Sequence, residues 1–555
     1  MHAGVFKAHE TRLHCTKCKN KTVYTSEALA RVVPDHGNFG YDVLVFTGKA
    51  MFLRHRNSRE ICDEFAARNI QISPREIDCL GKKFIIYLAI AHRQSAPRIR
   101  RSMQSKGGYV LHLDGTCEGG GPHLMSGLDS ISSIVLGNIK LPSENAAEII
   151  PFLRHIQSLF GNPLALVHDM GSGILKAVAE IFPGKPDFIC HFHFLRDLGK
   201  DLLEPDYAVI RKRLKKHKIV AKLRHRARAM KKIIDNHPEL MDALNEGFQH
   251  NRWPDSLRAQ APVVCAYTLI HWALDGKNQG QGYGFPFDRP YVEFAKRLYA
   301  LRENLEQFKN ISLQGQWLDN RPFWKMLGDL RDVVSDSGLR KAVADIQPKI
   351  QVFEKLRHAM RIAPKDGKQG LNANGMDMNM KTIEKRVTDF HHWLSTDRIF
   401  AQNKEYKKMI AQIDKYWVKL FADPITVQTC TGTGTIQPQR TNNILEHFFR
   451  DHKRAHRRRT GNGSMAKTFQ TMLADTPLVK NLENPQYMET LLAGNPALEE
   501  LFASIDSKLV RFELHKAQET PDKLPTKIRK IIANPMLPEL VKNLFYNTTK
   551  CASES

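Results

Sequence analysis

Long apolar runs are missing from this 555-residue chain. No uninterrupted stretch reaches the ~18 residues that a membrane-spanning helix requires, and the start, MHAGVFKAHETRLHC, lacks the apolar core of a secretory signal. A membrane-embedded or secreted protein is therefore not expected, and the cytoplasm is the expected location. Paired cysteines are scarce too. The nine, at 15, 18, 62, 79, 117, 190, 265, 430 and 551, are odd in number and scattered, which argues for reduced thiols rather than a disulfide framework. Internal repeats and low-complexity tails are absent. Acidic residues are in deficit: 58 Asp and Glu face 83 Lys and Arg, a net charge of +25 and a pI of about 9.6. Such an excess repels itself unless a polyanion relieves it, so nucleic acid is the first partner to expect. The remaining composition, 42% hydrophobic and 25% charged with mean hydropathy −0.41, suits a soluble chain, and the length suits three or four folded units.

Cys15-x2-Cys18 is half of a zinc site; the second pair that would complete four ligands is not evident, and the alternative is two ordinary thiols. From Ser58 the sequence SREICDEFAARNIQISPREIDCLGKKFIIYLAIAH predicts a helix capped by Ser58 and striped by Ile61, Cys62, Phe65 and Ala66. Asn69 to Ser73 supplies a turn, and Pro74 suits the first position of a second helix carrying Ile77, Leu80, Phe84 and Ile85. That is helix-turn-helix spacing, in which Arg75, Lys82 and Lys83 of the second helix would face the major groove; the alternative is a packed hairpin without a DNA role. Between Tyr109 and Leu203, YVLHLDGT, HLMSGLDS, ISSIVLGNIKL, LALVHD and DFICHF read as strands, with helices over Asn145–Phe160 and Ser172–Phe182, a mixed α/β sheet covered by helices. Beyond His193 the pattern is helical for more than two hundred residues. Ile210 to Ile233 holds twelve Lys or Arg and no Asp or Glu, and predicts one basic amphipathic helix.

Asp114 and Asp169 each end a predicted strand of one sheet, where α/β folds place ligand groups. Two such carboxylates suit hard divalent cations, and two metals ~3.5–4 Å apart serve in-line phosphodiester displacement. A third acid is expected from RTNNILEHFFRDHKRAHRRRTGNGS, where Thr441 or Asn442 caps a helix, Asn443 and Glu446 share a face, and Leu445, Phe448 and Phe449 form an apolar one. Arg450, Lys453, Arg454, Arg457, Arg458 and Arg459 continue that helix as a phosphate-binding ridge.

In that order, LHLDGT, LVHDMGSGILKAV, CHFHFLRDLGK, a long helical interruption and TNNILEHFFRDHKR, the sequence resembles the DDE transposases of bacterial insertion sequences, especially those related to Mutator-like elements. The resemblance covers roughly residues 50 to 470 and implies a ribonuclease-H-like core in which Asp114, Asp169 and Glu446 hold Mg²⁺ or Mn²⁺, interrupted by an all-helical insertion. Cys190-x2-His193 matches the C-x2-H signature of these families. A lone cysteine suits hard Mg²⁺ poorly, so Cys190 and His193 are expected to be structural or DNA-positioning. The implied layout is a possibly zinc-binding region at 1–50, a helix-turn-helix domain at 51–100, the core at 105–205 and 431–475, the insertion at 206–430 and a helical region at 476–555. The expected activity is Mg²⁺-dependent cleavage and strand transfer of duplex DNA, at element ends and target, by a homo-oligomer associated with the nucleoid. The alternatives are a catalytically silent DNA-binding regulator and an RNA- or junction-directed nuclease.

Overall fold

The computed structural model describes residues 7–11, 13, 14, 17, 23, 24, 26–309, 317–362, 380–398, 400–518, 528 and 531–551. Cys15 and Cys18, and with them the zinc question, lie outside the described residues. The protein is mixed α/β, mostly helical, with a mixed five-stranded sheet and two small hairpins. The described residues form two compact units, one of residues 1–96, 455–462 and 471–555, the other of 97–454 and 463–470. No helix among the described residues is long and apolar enough to cross a membrane.

The first unit opens with a short hairpin, β1 (Leu13–His14) and β2 (Val23–Tyr24), followed by α1 (Glu27–Ala30), α2 (Tyr41–Phe52), α3 (Ser58–Ala66) and α4 (Pro74–Gln94). The expected cap of α3 moves by one residue: Asn57, not Ser58, accepts from Arg59 N and Glu60 N, and Glu60 answers on the Asn57 N–H, a complete capping box. Ser73 caps α4 ahead of Pro74, and Ser58 Oγ bonds Asp78 Oδ1 at 2.6 Å, tying α3 to α4. Ile77, Leu80, Phe84 and Ile85 are buried as their spacing predicts, and every residue from Phe84 to His92 is buried as well.

The second unit begins with α5 (Ala96–Ser105). The sheet follows: β3 (Val110–Thr116), β4 (His123–Asp129), β5 (Val135–Leu141), β6 (Ala165–His168) and β7 (Asp187–Ile189), with α6 (Ala146–Phe160) and α7 (Ser172–Ile181) between the later strands. The order is β5-β4-β3-β6-β7; β3 is antiparallel to β4 and parallel to β6, and β6 is parallel to β7.

From His191 the chain is helical through α8 (His191–Lys216), α9 (Ile219–Asp235), α10 (Glu239–His250), α11 (Ala261–Asp275), α12 (Pro290–Glu306), α13 (Trp317–Val334), α14 (Ser337–Met360), α15 (Met380–Thr396) and α16 (Lys404–Leu420). One apolar cluster runs from Ile189 to Leu420, so these helices share a core. The basic helix expected over Ile210–Ile233 is two helices. Lys218 takes the left-handed conformation (φ 50°) and breaks it, which puts Ile210 and Leu214 on α8 and Leu223, Ala227 and Met230 on α9. Its cations are also partly committed: Lys222 and Arg226 pair with Asp329 at 3.2 and 2.9 Å, and Arg213 with Asp336 at 3.4 Å.

A hairpin not expected from the sequence, β8 (Ile425–Thr429) and β9 (Gly432–Ile436), rests Ile425 and Ile436 on Val110, Ala165 and Val167. Next come α17 (Asn443–Thr460) and α18 (Ala466–Thr471), and the first unit resumes with α19 (Pro485–Leu492), α20 (Leu498–Ala503), α21 (Ser507–Gln518) and α22 (Leu537–Cys551).

Candidate active site

Strand pairing brings the two aspartates together. β3 and β6 are parallel with His112 opposite Val167, and two residues further along each chain come Asp114 and Asp169. Neighbouring strands lie ~4.8 Å apart, so this register sets the two carboxylates side by side. Each is aimed by a local hydrogen bond: Asp114 Oδ1 accepts from Gly115 N and Asp169 Oδ1 from Gly171 N, both at 2.9 Å.

Glu446 arrives on α17, whose first turn is pinned to the sheet by Asn442. The Asn442 amide donates from Nδ2 to Leu113 O at 2.9 Å, its Oδ1 meets His112 Nδ1 at 3.0 Å, and its backbone N–H donates to Cys190 Sγ at 3.2 Å. One fully buried residue thus joins β3, the end of β7 and the start of the helix carrying Glu446. His191 N donates to Arg440 O at 2.9 Å, and the Arg440 guanidinium donates to Met360 O and Arg361 O at 2.6 and 3.0 Å, which ties the same approach to α8 and α14. Leu445, Phe448 and Phe449 are buried as expected, and Asn443 is buried beside them.

Burial raises the Asp114 carboxyl well above the usual carboxylate range, and the neighbouring charges of Asp169 and Glu446 raise it further. Burial also raises Asp169, with Glu144 adding to it, and raises Glu446 against the pull of Arg196 and Arg450. A buried carboxyl beside two other acids, as Asp114 is, is short of positive charge. Asp129 shows the contrast: equally buried, it is occupied by donors from Val110 N, Ile131 N, Ser132 N and Ser132 Oγ. Among the described residues, Asp114 accepts from Gly115 N alone. The donor set is all oxygen and fits a hard divalent cation, although no three His, Cys, Asp or Glu among the described residues stand as a ready-made ligand cage.

Cys190 and His193 flank these acids without the character of ligands for such an ion. Burial pushes the Cys190 thiol up to about 12, so it stays protonated and takes the Asn442 N–H. Burial and then Arg196 push His193 down to about 3; its Nε2 lies 3.7 Å from Glu446 Oε1, a polar approach rather than an ion pair because the imidazole is neutral.

Sequence reasoning missed several neighbours. Glu144 reaches back over the site: its Oε1 bonds His123 Nδ1 at 2.9 Å and stands where a Cβ on Gly115 would come within 2.5 Å of it. A side chain there would displace the Glu144 carboxylate. Arg196, one turn beyond His193, acts on all three acids. No local motif marks Glu144, since it sits in a turn before α6 and meets Gly115 only when the sheet forms. Arg196 was legible as the next same-face residue after His193.

Of the expected DNA-binding residues, Arg450, Lys453, Arg454, Arg457 and Arg458 are exposed, whereas the Arg459 guanidinium lies over the Phe52 ring at 5.5 Å, within the first unit. Arg75 and Lys82 are exposed on α4, and Lys83 is half-buried. Compared with known proteins, the chain matches no family model and no curated protein.

Proposed function

We propose that this protein is a DDE-type DNA transposase with a ribonuclease-H-like core, acting on duplex DNA at element ends and at the target. The observation that carries the reading is the approach of Asp114, Asp169 and Glu446 from two neighbouring strand ends and a distant helix, with Asp114 buried and held up by the charges of the other two. An antiparallel meander extended by two parallel strands supports the core assignment, and the +25 charge supports a polyanionic substrate.

Asp114, Asp169 and Glu446 would hold Mg²⁺ or Mn²⁺, which supplies Lewis-acid activation of the attacking oxygen and stabilisation of the leaving oxygen when bound. Gly115 and Gly171 orient the two aspartates through their N–H groups. Asn442 holds Glu446 to the sheet. Arg450, Lys453 and Arg454, on successive exposed turns of α17, would take backbone phosphates on either side of the scissile one. Water attacks first and frees a 3′-hydroxyl, and that hydroxyl attacks a target phosphodiester in the second step.

The test is strand nicking and joining by the purified full chain on duplex DNA from the flanks of its own gene. Asp114→Asn, Asp169→Asn and Glu446→Gln are each expected to abolish Mg²⁺-dependent nicking while retaining DNA binding. Nicking that survives in purified Asp114→Asn overturns the assignment, and DNA binding by wild type without nicking or joining would favour the regulator.

A further inference from the structure

Arg196 stands out among the cations around the acids. It follows His193 by one turn of α8, so both side chains leave the same face of that helix, and His193 on that face approaches Glu446 at 3.7 Å. Its positive charge acts on Asp114, Asp169, Glu446 and His193 together, whereas Arg450 reaches Glu446 and Lys200 reaches His193. Yet the guanidinium bonds to none of the three acids. Its Nε is buried with no hydrogen-bond partner, its ion contact is the adjacent Asp197 at 3.7 Å, and the side chain is 33% exposed. A guanidinium has five donors in a planar fork and forms its best pairs with carboxylate or phosphate. If this arginine served only to balance the acids, it would bond one of them in that geometry.

We propose that Arg196 is a substrate-contacting residue that binds a non-bridging oxygen of the phosphodiester brought to Asp114, Asp169 and Glu446. The proposal rests on the transposase reading and adds to it a phosphate ligand from outside the acidic triad. The physical logic is a reversal of field. Without bound cations the acids surround Arg196 with negative charge and the guanidinium offsets it. Divalent cations on the acids make the site positive, and the group that suits the guanidinium there is an anion. Its partial exposure leaves the donors open to a ligand arriving from solvent, and its fork matches two phosphate oxygens where a lysine would offer a point charge.

The experiment uses the full chain and two readouts that need no turnover. Mn²⁺ alone is titrated into wild type, Arg196→Gln and Asp114→Asn, with free Mn²⁺ followed by electron paramagnetic resonance. Separately, the affinity for a 40-base-pair duplex with a central nick is measured in Ca²⁺ and in chelator, and the ratio is taken as the cation-dependent gain. Arg196→Gln is expected to bind Mn²⁺ several-fold more tightly than wild type, because a competing positive charge has gone. The same variant should lose about tenfold or more of the gain on DNA, the size of one charge-assisted hydrogen bond, and Arg196→Lys should recover part of it. Asp114→Asn should lose both Mn²⁺ binding and the gain. If Arg196→Gln matches wild type in both readouts, or binds Mn²⁺ more weakly as a structural residue would, the proposal fails while the transposase reading stands. If wild type shows neither Mn²⁺ binding nor a gain, both fail.

Discussion

Asp114 and Asp129 sit on adjacent strands, both buried, and differ in how their charge is met. Asp129 is surrounded by donors; Asp114 faces two other acids. The native state therefore holds the Asp114 proton to higher pH than the unfolded chain, whose carboxyl titrates near ~3.9. Above that value the native state binds more protons, so this group lowers stability as pH rises through its folded range. In chelator at pH 8, Asp114→Asn is expected to melt about 2–4 °C higher than wild type, and the difference should close as the pH is brought down to 4. Calorimetry across that range checks it, and an Asp114→Asn protein that melts lower than wild type at pH 8 would refute it. Asn442 carries the opposite expectation. Asn442→Ala leaves Leu113 O and His112 without their partners, at about 2 kcal/mol or more of stability, and should abolish nicking through a displaced Glu446. Urea denaturation measures the first effect and the nicking assay the second. The strands that lead to Asp114 and Asp169 and the helix that carries Glu446 were legible in the sequence because strand alternation and a capped helix are local patterns. The pin was not, because Asn442 meets His112, Leu113 and Cys190 only after 250 or more residues of chain have folded between them.

At the scale of elements, periodicity found the five strands of the sheet and the helices around it, missed a hairpin and missed a helix break. Ile210 to Ile233 has one continuous apolar spacing, and nothing in its composition marks Lys218 as left-handed. The break is set by packing: α8 lies against α14 so closely that a Cβ on Gly199 would meet the Phe353 ring at 2.4 Å, while α9 turns to pair Lys222 and Arg226 with Asp329. A lysine in that conformation is strained, so Lys218→Gly should raise stability by about 0.5–1 kcal/mol and Lys218→Val should lower it, as read by denaturation midpoints. In the first unit, α2 and α4 cross at a glycine. A Cβ on Gly48 would stand 2.1 Å from the Phe84 ring, so Gly48→Ala should destabilise that unit by about 1–3 kcal/mol. The β8–β9 hairpin escaped notice because its strands are short and Thr-rich, with most side chains outside the core.

For the whole molecule, the decisive fact is that the first unit is assembled from both ends of the chain. Tyr87 stacks on Phe502 at 5.2 Å, His92 Nδ1 bonds Tyr487 Oη at 2.9 Å, and Arg93 reaches Asp475 and Glu513 at 3.5 and 3.0 Å. The helix-turn-helix candidate thus buries the second half of α4 against residues far along the sequence. A fragment of residues 1–100 is expected to remain largely unfolded, and co-expression with 471–555 should restore protected amides in α4. Hydrogen exchange distinguishes the outcomes, and a fragment with protected α4 amides by itself would show that the distant helices are dispensable.

Composition alone determined that the chain is strongly basic and fills ordinary cores, and local spacing determined where the strands of its main sheet and the helices beside them lie. These are properties of a few neighbouring residues, so they survive without the fold. Which hydrogen bonds hold the Glu446 helix to the sheet, which cations lie near the aspartates, and which helices close on α4 are contacts between residues separated by tens to hundreds of positions. Tertiary structure decided those, because they rest on strand register and buried hydrogen bonds that no single segment contains.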